Sequence, residues 1–223
     1  FVVMFWASFE QAGGLMNLFA DQYTNREVGS FTVPTGWFQS LNPLFIVLLA
    51  PLFSMLWSKM GESGKNPKTP VKMYVGLLQV ALGFIFLVVA VFEMQHSADM
   101  KSAMLWLVLA YLFHTTGELC ISPVGLSMVT KLAPMRLGSL MMGVWFMINF
   151  VANTLAGYIG AFSEHMGEYP WMVSLAADVG VRAENAGLLG VFGGLAVLLI
   201  VFSFVLWTIS GRIVRWMHGA EGK

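Results

Sequence analysis

Two carboxylates lie inside apolar stretches of this sequence, and their chemistry is the first thing to explain. Glu118 sits in Gly117-Glu118-Leu119-Cys120-Ile121-Ser122-Pro123, within an apolar run that begins near Ala103 and, after Glu118, meets no other charge until Lys131. A lone carboxylate at bilayer depth costs roughly 2.5–3.5 kcal/mol on insertion scales, so Glu118 is expected to face a cavity or a partner rather than lipid. Pro123 has no N–H and clashes with the preceding turn, which predicts a kink and a weakened backbone bond to the Leu119 carbonyl. The second carboxylate, Glu10, falls midway along the first apolar run, with Trp6 one turn before it on the same helix face. His114 and Ser122 stand four residues either side of Glu118, so the fourth apolar run is expected to carry one polar stripe turned toward protein or water.

Asn42-Pro43 repeats the pairing of a polar group with a helix breaker. Asn42 either makes a helix–helix hydrogen bond or shares a cavity with Glu118. Asn149 and Asn153 read as structural; His114 reads as a hydrogen-bonded helix residue, with a proton relay as the alternative. No Lys or Arg is expected at bilayer depth. Glu10 and Glu118 must therefore be protonated or find their partner in a second chain segment, a bound cation or a substrate amine.

The elements that position these groups are membrane spans. Of 223 residues, 57% are hydrophobic and 11% charged, against about 25% charged in soluble domains, which makes the chain an integral membrane protein. Runs of about 20 apolar residues, enough to cross roughly 30 Å of hydrocarbon, predict six spans near 1–19, 37–57, 71–92, 103–129, 138–162 and 186–209. The fold class expected is an all-α membrane protein, a six-transmembrane-helix bundle built as one domain over 1–223, with two three-helix units of inverted topology as a hypothesis.

Nine of the 12 basic residues (Lys59, Lys65, Lys68, Lys72, Lys131, Arg136, Arg212, Arg215 and Lys223) fall on one side of that topology, against Arg26, Lys101 and Arg182 on the other. The asymmetry predicts that both ends of the segment are cytoplasmic. It also accounts for the Lys59-to-Lys72 connector, where a lipid-phosphate role is the lesser reading. Equal numbers of basic and acidic residues point away from nucleic acid.

Trp37, Trp57, Trp106, Trp171, Trp207 and Trp216 fall near span ends, where amphipathic rings anchor at the headgroups, while Trp6 and Trp145 lie well inside spans. Gly190 and Gly194 have the spacing that lets helices approach closely. Cys120 is the single cysteine and reads as helix packing. Phe1 opens inside an apolar run with no basic stretch ahead of it, the pattern of a chain cut at a helix rather than of a signal peptide. There is no metal-ligand spacing, phosphate loop or nucleophile motif, so an enzyme is not expected.

Three motifs on successive spans carry a resemblance. They are Phe5-Trp6-Ala7 with Phe9-Glu10-Gln11 and Asn17-Leu18-Phe19-Ala20; Trp37-Phe38-Gln39-Ser40-Leu41-Asn42-Pro43-Leu44-Phe45; and Gly117-Glu118 with Ile121-Ser122-Pro123-Val124-Gly125-Leu126-Ser127, ending Lys131-Leu132-Ala133-Pro134. Together they resemble the C-terminal half, helices seven to twelve, of a bacterial proton-dependent oligopeptide transporter of the POT or PTR family in the major facilitator superfamily.

The resemblance implies one half of a central cavity, alternating access, and uptake of di- and tripeptides with the proton as coupling ion and no cofactor. The partner would be an N-terminal six-helix bundle, and the location a bacterial inner membrane. It further implies that Glu118 and Asn42 lie near the peptide amino terminus, that Ser122, Trp6 and Trp145 line the pocket, and that Glu10 forms a gating salt bridge to an arginine of the other half. The competing class is a six-helix interaction subunit whose buried acids dock to arginines or lysines of a partner.

Overall fold

The structure, a computed structural model, describes residues 1–217, with only the backbone described at Met135 and Glu164. Lys223, one of the basic residues at the C-terminal end, lies outside the described residues. Among the described residues nine α-helices form, in chain order: α1 (Val2–Phe9), α2 (Leu15–Gln22), α3 (Thr35–Gln39), α4 (Leu41–Glu62), α5 (Thr69–His96), α6 (Met104–Leu132), α7 (Gly138–Met166), α8 (Pro170–Asp178) and α9 (Ala186–Trp216). Five helical stretches among the described residues, 35–62, 69–96, 104–132, 138–163 and 183–216, are long and apolar enough to cross a membrane. The 28 residues of α5 reach about 42 Å at 1.5 Å per residue, more than the hydrocarbon thickness.

The first apolar run does not form one continuous helix. α1 ends at Phe9, a 3-10 turn covers Glu10–Ala12, and α2 starts only after Gly13 and Gly14, two residues with poor helix propensity in sequence. A break of this kind frees backbone carbonyls that lipid cannot satisfy, so the protein must. The Gln11 side chain, buried at the break, donates to the Ala7 carbonyl at 3.0 Å and to the Ala156 carbonyl of α7 at 3.2 Å. The Tyr111 hydroxyl of α6 donates to the Ala12 carbonyl at 3.1 Å.

Neither proline motif interrupts its helix. Pro43 lies in the first turn of α4, behind the N-cap Ser40, where the missing N–H would have had no intrahelical acceptor. Helix α6 runs through Pro123 without a break. Helix α5 is the hub, packing most extensively on α6 and α9. Its buried Phe84, Leu87, Ala90 and Val91 meet Phe192 and Leu199 of α9 and Leu107 and Ala110 of α6 in one core.

The backbones of α5 and α6 approach closely where Gly76 and Gly117 face one another. A Cβ on Gly117 would lie 2.7 Å from the Gly76 carbonyl oxygen, and one on Gly76 would lie 2.8 Å from the Gly117 oxygen. The Gly190 and Gly194 pair plays no such part. Gly190 is covered by the side chains of Met166 and Met172, and nothing lies within 4 Å of a Cβ on Gly194.

Helix α4 buries none of its residues and packs on α6, and α7 exposes Phe146, Met147, Phe150 and Tyr158. Outside the helices, two short strand pairs tie the connections: β1 (Thr24–Asn25) with β4 (Ser102–Ala103) in parallel, and β2 (Glu27–Val28) with β3 (Phe31–Thr32) antiparallel. Trp106 donates its indole N–H to Glu93, which also accepts from the Ala103 backbone N–H at 2.9 Å, so this tryptophan braces a helix entry.

Candidate functional site

Glu118 is half-buried on α6, and its partner comes from α4. Asn42, in the first turn of α4, donates from Nδ2 to the Glu118 carboxylate at 3.0 Å and to the Thr115 hydroxyl at 3.1 Å. Thr115, one turn before Glu118, in turn donates to the Tyr111 carbonyl at 2.8 Å. The chain of contacts has a direction. Thr115 spends its proton on its own helix, which leaves its oxygen to receive Asn42, and Asn42 spends both amide protons on α6. The Asn42 side-chain oxygen and the second Glu118 oxygen are further acceptors on these two residues, a chemistry suited to a cation or a hydrogen-bond donor.

The position of α4 permits this. Because Pro43 sits in its first turn, Asn42 lies at the very start of the helix, and the open α4 surface leaves the Asn42–Glu118 pair at the edge of the bundle rather than in its core. On the other side, the Gly76–Gly117 contact seats α6 directly on α5. The glycine before Glu118 thus sets the height at which the carboxylate stands.

His114 does not share a surface with Glu118, although the two are four residues apart. Its ring is fully buried against α5 and α1, with centroids 4.8 Å from Phe84 and 6.3 Å from Phe9, and it fills the notch left by Gly83. The polar stripe expected from spacing is therefore divided. Thr115, rather than His114, accompanies Glu118, and only the helical position three residues before the acid hinted at it. Ser122 is half-buried one turn beyond Glu118.

Trp6 is half-buried in a cluster with Phe5 and Phe9, at ring centroids 5.3 and 5.4 Å away, and its indole N–H has no acceptor among the described residues. Trp145 is 8% exposed. Its ring rests on Gly125 of α6, where a side chain would collide with it, so the structure joins Trp145 to α6 three residues after Ser122. Glu10 begins the 3-10 turn between α1 and α2. Neither acid forms an ion pair among the described residues. Gln11 stood in the sequence only as part of the Phe9-Glu10-Gln11 motif; its role as a hydrogen-bond donor appears only with the α1 break. No group of three or more His, Cys, Asp or Glu side chains among the described residues could hold a metal.

The model of the POT family, PTR2, matches residues 1–172. The peptide transporter YePEPT of Yersinia enterocolitica subsp. palearctica is 36% identical over 220 residues, 98% of this chain and 40% of its own length. The di-/tripeptide transporter of Lactococcus lactis subsp. cremoris is 35% identical over 161 residues, 70% of this chain and 32% of its own length. Among solved structures, a glutamate-to-glutamine mutant of peptide transporter POT in complex with alafosfalin superposes with a TM-score of 0.78 at 34% identity, over 96% of this chain and 39% of that one. The chain therefore spans about 40% of the length of the relatives that it matches most fully. These relatives are transporters rather than enzymes.

Proposed function

The chain belongs to the POT family of multi-pass membrane transporters, and from that premise we propose that it forms the C-terminal half of the central cavity of a proton-coupled symporter of di- and tripeptides. The observation that carries the reading is the Asn42–Glu118–Thr115 group, in which one neutral donor, the Asn42 amide, holds the carboxylate and bridges it to Thr115.

A peptide amino terminus is a cation that must leave water to enter such a cavity. An ionised carboxylate offsets that desolvation through a charge-assisted hydrogen bond, and the Asn42 side-chain oxygen supplies a second acceptor. Ser122, Trp6 and Trp145 contribute further walls, with Trp145 held in place by Gly125. Glu10 acts between the two halves instead, pairing with an arginine of the N-terminal bundle and exchanging that partner as the interface opens. Alternating access follows from rocking the two bundles about the site. The uncovered sides of α4 and α7 are the surfaces against which the other half would move. The basic ends of α4, α6 and α9 are on the cytoplasmic side of a bacterial inner membrane, following the positive-inside bias.

The test uses the full-length transporter. Glu118→Gln keeps shape but leaves the ammonium poorly compensated, so affinity for a free dipeptide falls by roughly 2–5 kcal/mol, as for truncating one member of a buried charge pair. A dipeptide acetylated at its amino terminus binds weakly to the unmodified protein and loses much less on the substitution. Equal losses for the two peptides would show that Glu118 does not read the amine.

A further inference from the structure

The short hairpin between α2 and α3 presents an apolar face that is left uncovered among the described residues. Val28 of β2 pairs with Phe31 of β3, and Glu27 with Thr32. Residues directly opposite in an antiparallel pair share a face, so Val28 and Phe31 lie on one side of the hairpin and Glu27 and Thr32 on the other. Gly29, at φ +64°, supplies the left-handed conformation that the two-residue turn requires. Val28 is 56% exposed and Phe31 49%. The Phe31 ring meets Trp37 of α3 at a centroid distance of 5.7 Å, and Trp37 is itself 60% exposed.

An isolated two-stranded hairpin is marginal in water, but this one is fixed at its base. The Arg26 guanidinium donates to the Val33 carbonyl at 2.9 Å and to the Asp21 carboxylate of α2 at 3.0 Å, and the Val33 N–H donates to the Arg26 carbonyl at 2.9 Å. Beside the hairpin, Val33, Trp37, Leu41 and Leu44 with Val108 of α6 line an apolar groove of about 420 Å³. Two observations decide what covers this surface. The stretch 35–62 is long and apolar enough to cross a membrane, so Trp37, in its first turn, stands where a leaflet begins. At 3.6 residues per turn, Trp37 and Leu44 also lie about 140° and about 160° around the helix from Asn42, whose side chain turns to Glu118 of α6. The exposed stripe therefore looks away from the proposed peptide site, and away from the half of the transporter that would close over that site.

We propose that the β2–β3 hairpin, with Trp37 and the groove beside it, is a lipid-docking surface seated on the leaflet at the N-terminal end of α4. Val28, Phe31 and Trp37 enter the headgroup region, where aromatic rings are favoured, and a phospholipid acyl chain lies along Leu41 and Leu44 in the groove. The free backbone edges of the two strands stay at headgroup level, where water still satisfies them, because the hydrocarbon core would leave them unpaired. Arg26 joins the hairpin to Asp21 near the end of α2. A hairpin held by lipid therefore also holds the end of α2 that lies beyond the break at Glu10–Ala12.

The experiment uses the full-length transporter in phosphatidylcholine vesicles, carrying Val28→Cys, Phe31→Cys, Thr32→Cys or Leu44→Cys as the one cysteine open to a nitroxide spin label. All four positions are exposed, so the substitutions leave the core intact. Collisions of the label are read with oxygen, which concentrates in the bilayer, and with a nickel chelate, which stays in water. At Val28 and Phe31 oxygen collisions exceed chelate collisions several-fold, and at Leu44 the excess is larger still; at Thr32, on the opposite face, the chelate dominates. Chelate collisions in excess at Val28 and Phe31 would show a hairpin standing in water. Labels shielded from both reagents would show that protein covers the face, as the other half of the transporter or a second copy would. Either result overturns the proposal, and neither depends on which solute the protein carries.

Discussion

Replacing Gly117 by alanine tests whether the α5–α6 contact sets the position of Glu118. The added Cβ would lie 2.7 Å from the Gly76 carbonyl oxygen and 2.8 Å from Val80 Cγ2, whereas ordinary contact begins at 3.4 Å. The first of these obstacles is backbone, which has no rotamer to change. The helices must separate by about 0.7 Å, the difference between 2.7 and 3.4 Å, and overpacking of this kind costs about 1–3 kcal/mol. Any part of that shift taken up by α6 moves Glu118 relative to Asn42 and disturbs the bond between them, now 3.0 Å.

Gly190→Ala is the matched comparison. Its Cβ would meet Met172 Sδ at 2.7 Å and Met166 Cγ at 2.8 Å, but these are unbranched side chains that can swing aside at a cost below about 1 kcal/mol. Unfolding titrations of the two variants in mixed micelles should therefore give a larger loss for Gly117→Ala, together with weakened dipeptide binding that Gly190→Ala does not show. Equal stabilities, or a destabilised Gly117→Ala protein that binds dipeptide as before, would refute the reasoning.

Two further outcomes are expected. Glu10→Gln in the full-length transporter should impair gradient-driven uptake more than equilibrium binding of dipeptide, because the carboxylate holds a conformation rather than the ligand; a large loss of binding with conformational exchange intact would contradict this. Gly125→Ala pushes a methyl group into the Trp145 ring and should cost about 1–3 kcal/mol of stability, while the Gly125→Ala/Trp145→Leu double variant should lose less than the sum of the single variants by at least about 0.5 kcal/mol. Additive losses would show that the glycine does not seat the tryptophan.

Much of the site was legible in the sequence because a charge in an apolar run is conspicuous whatever the tertiary structure. Glu10 and Glu118 are distinguished by the cost of burying a carboxylate in lipid, and Asn42 by its place beside a proline. That cost is a property of the residue and its neighbours in the chain, so it can be read before any helix is packed. The same is true of the apolar lengths that became α4, α5, α6, α7 and α9.

Packing decided what one-dimensional patterns could not. Spacing placed His114 with Glu118, yet His114 turned into the Gly83 notch and Thr115 took its place, because a side chain's neighbours depend on which helix lies against each degree of arc. Spacing also favoured Gly190 and Gly194 for close helix approach, but the tight crossing formed at Gly76 and Gly117, since a glycine brings two helices together only where a backbone lies opposite it. The first apolar run was long enough for a span, and nothing in its hydropathy revealed the break at Glu10–Ala12. At that break Gln11, itself part of the turn, donates to the Ala7 carbonyl and to the Ala156 carbonyl of α7, and Tyr111, brought in by α6, donates to the Ala12 carbonyl. Local composition sets which segments leave water, whereas the partners of their polar groups are fixed only when distant helices meet.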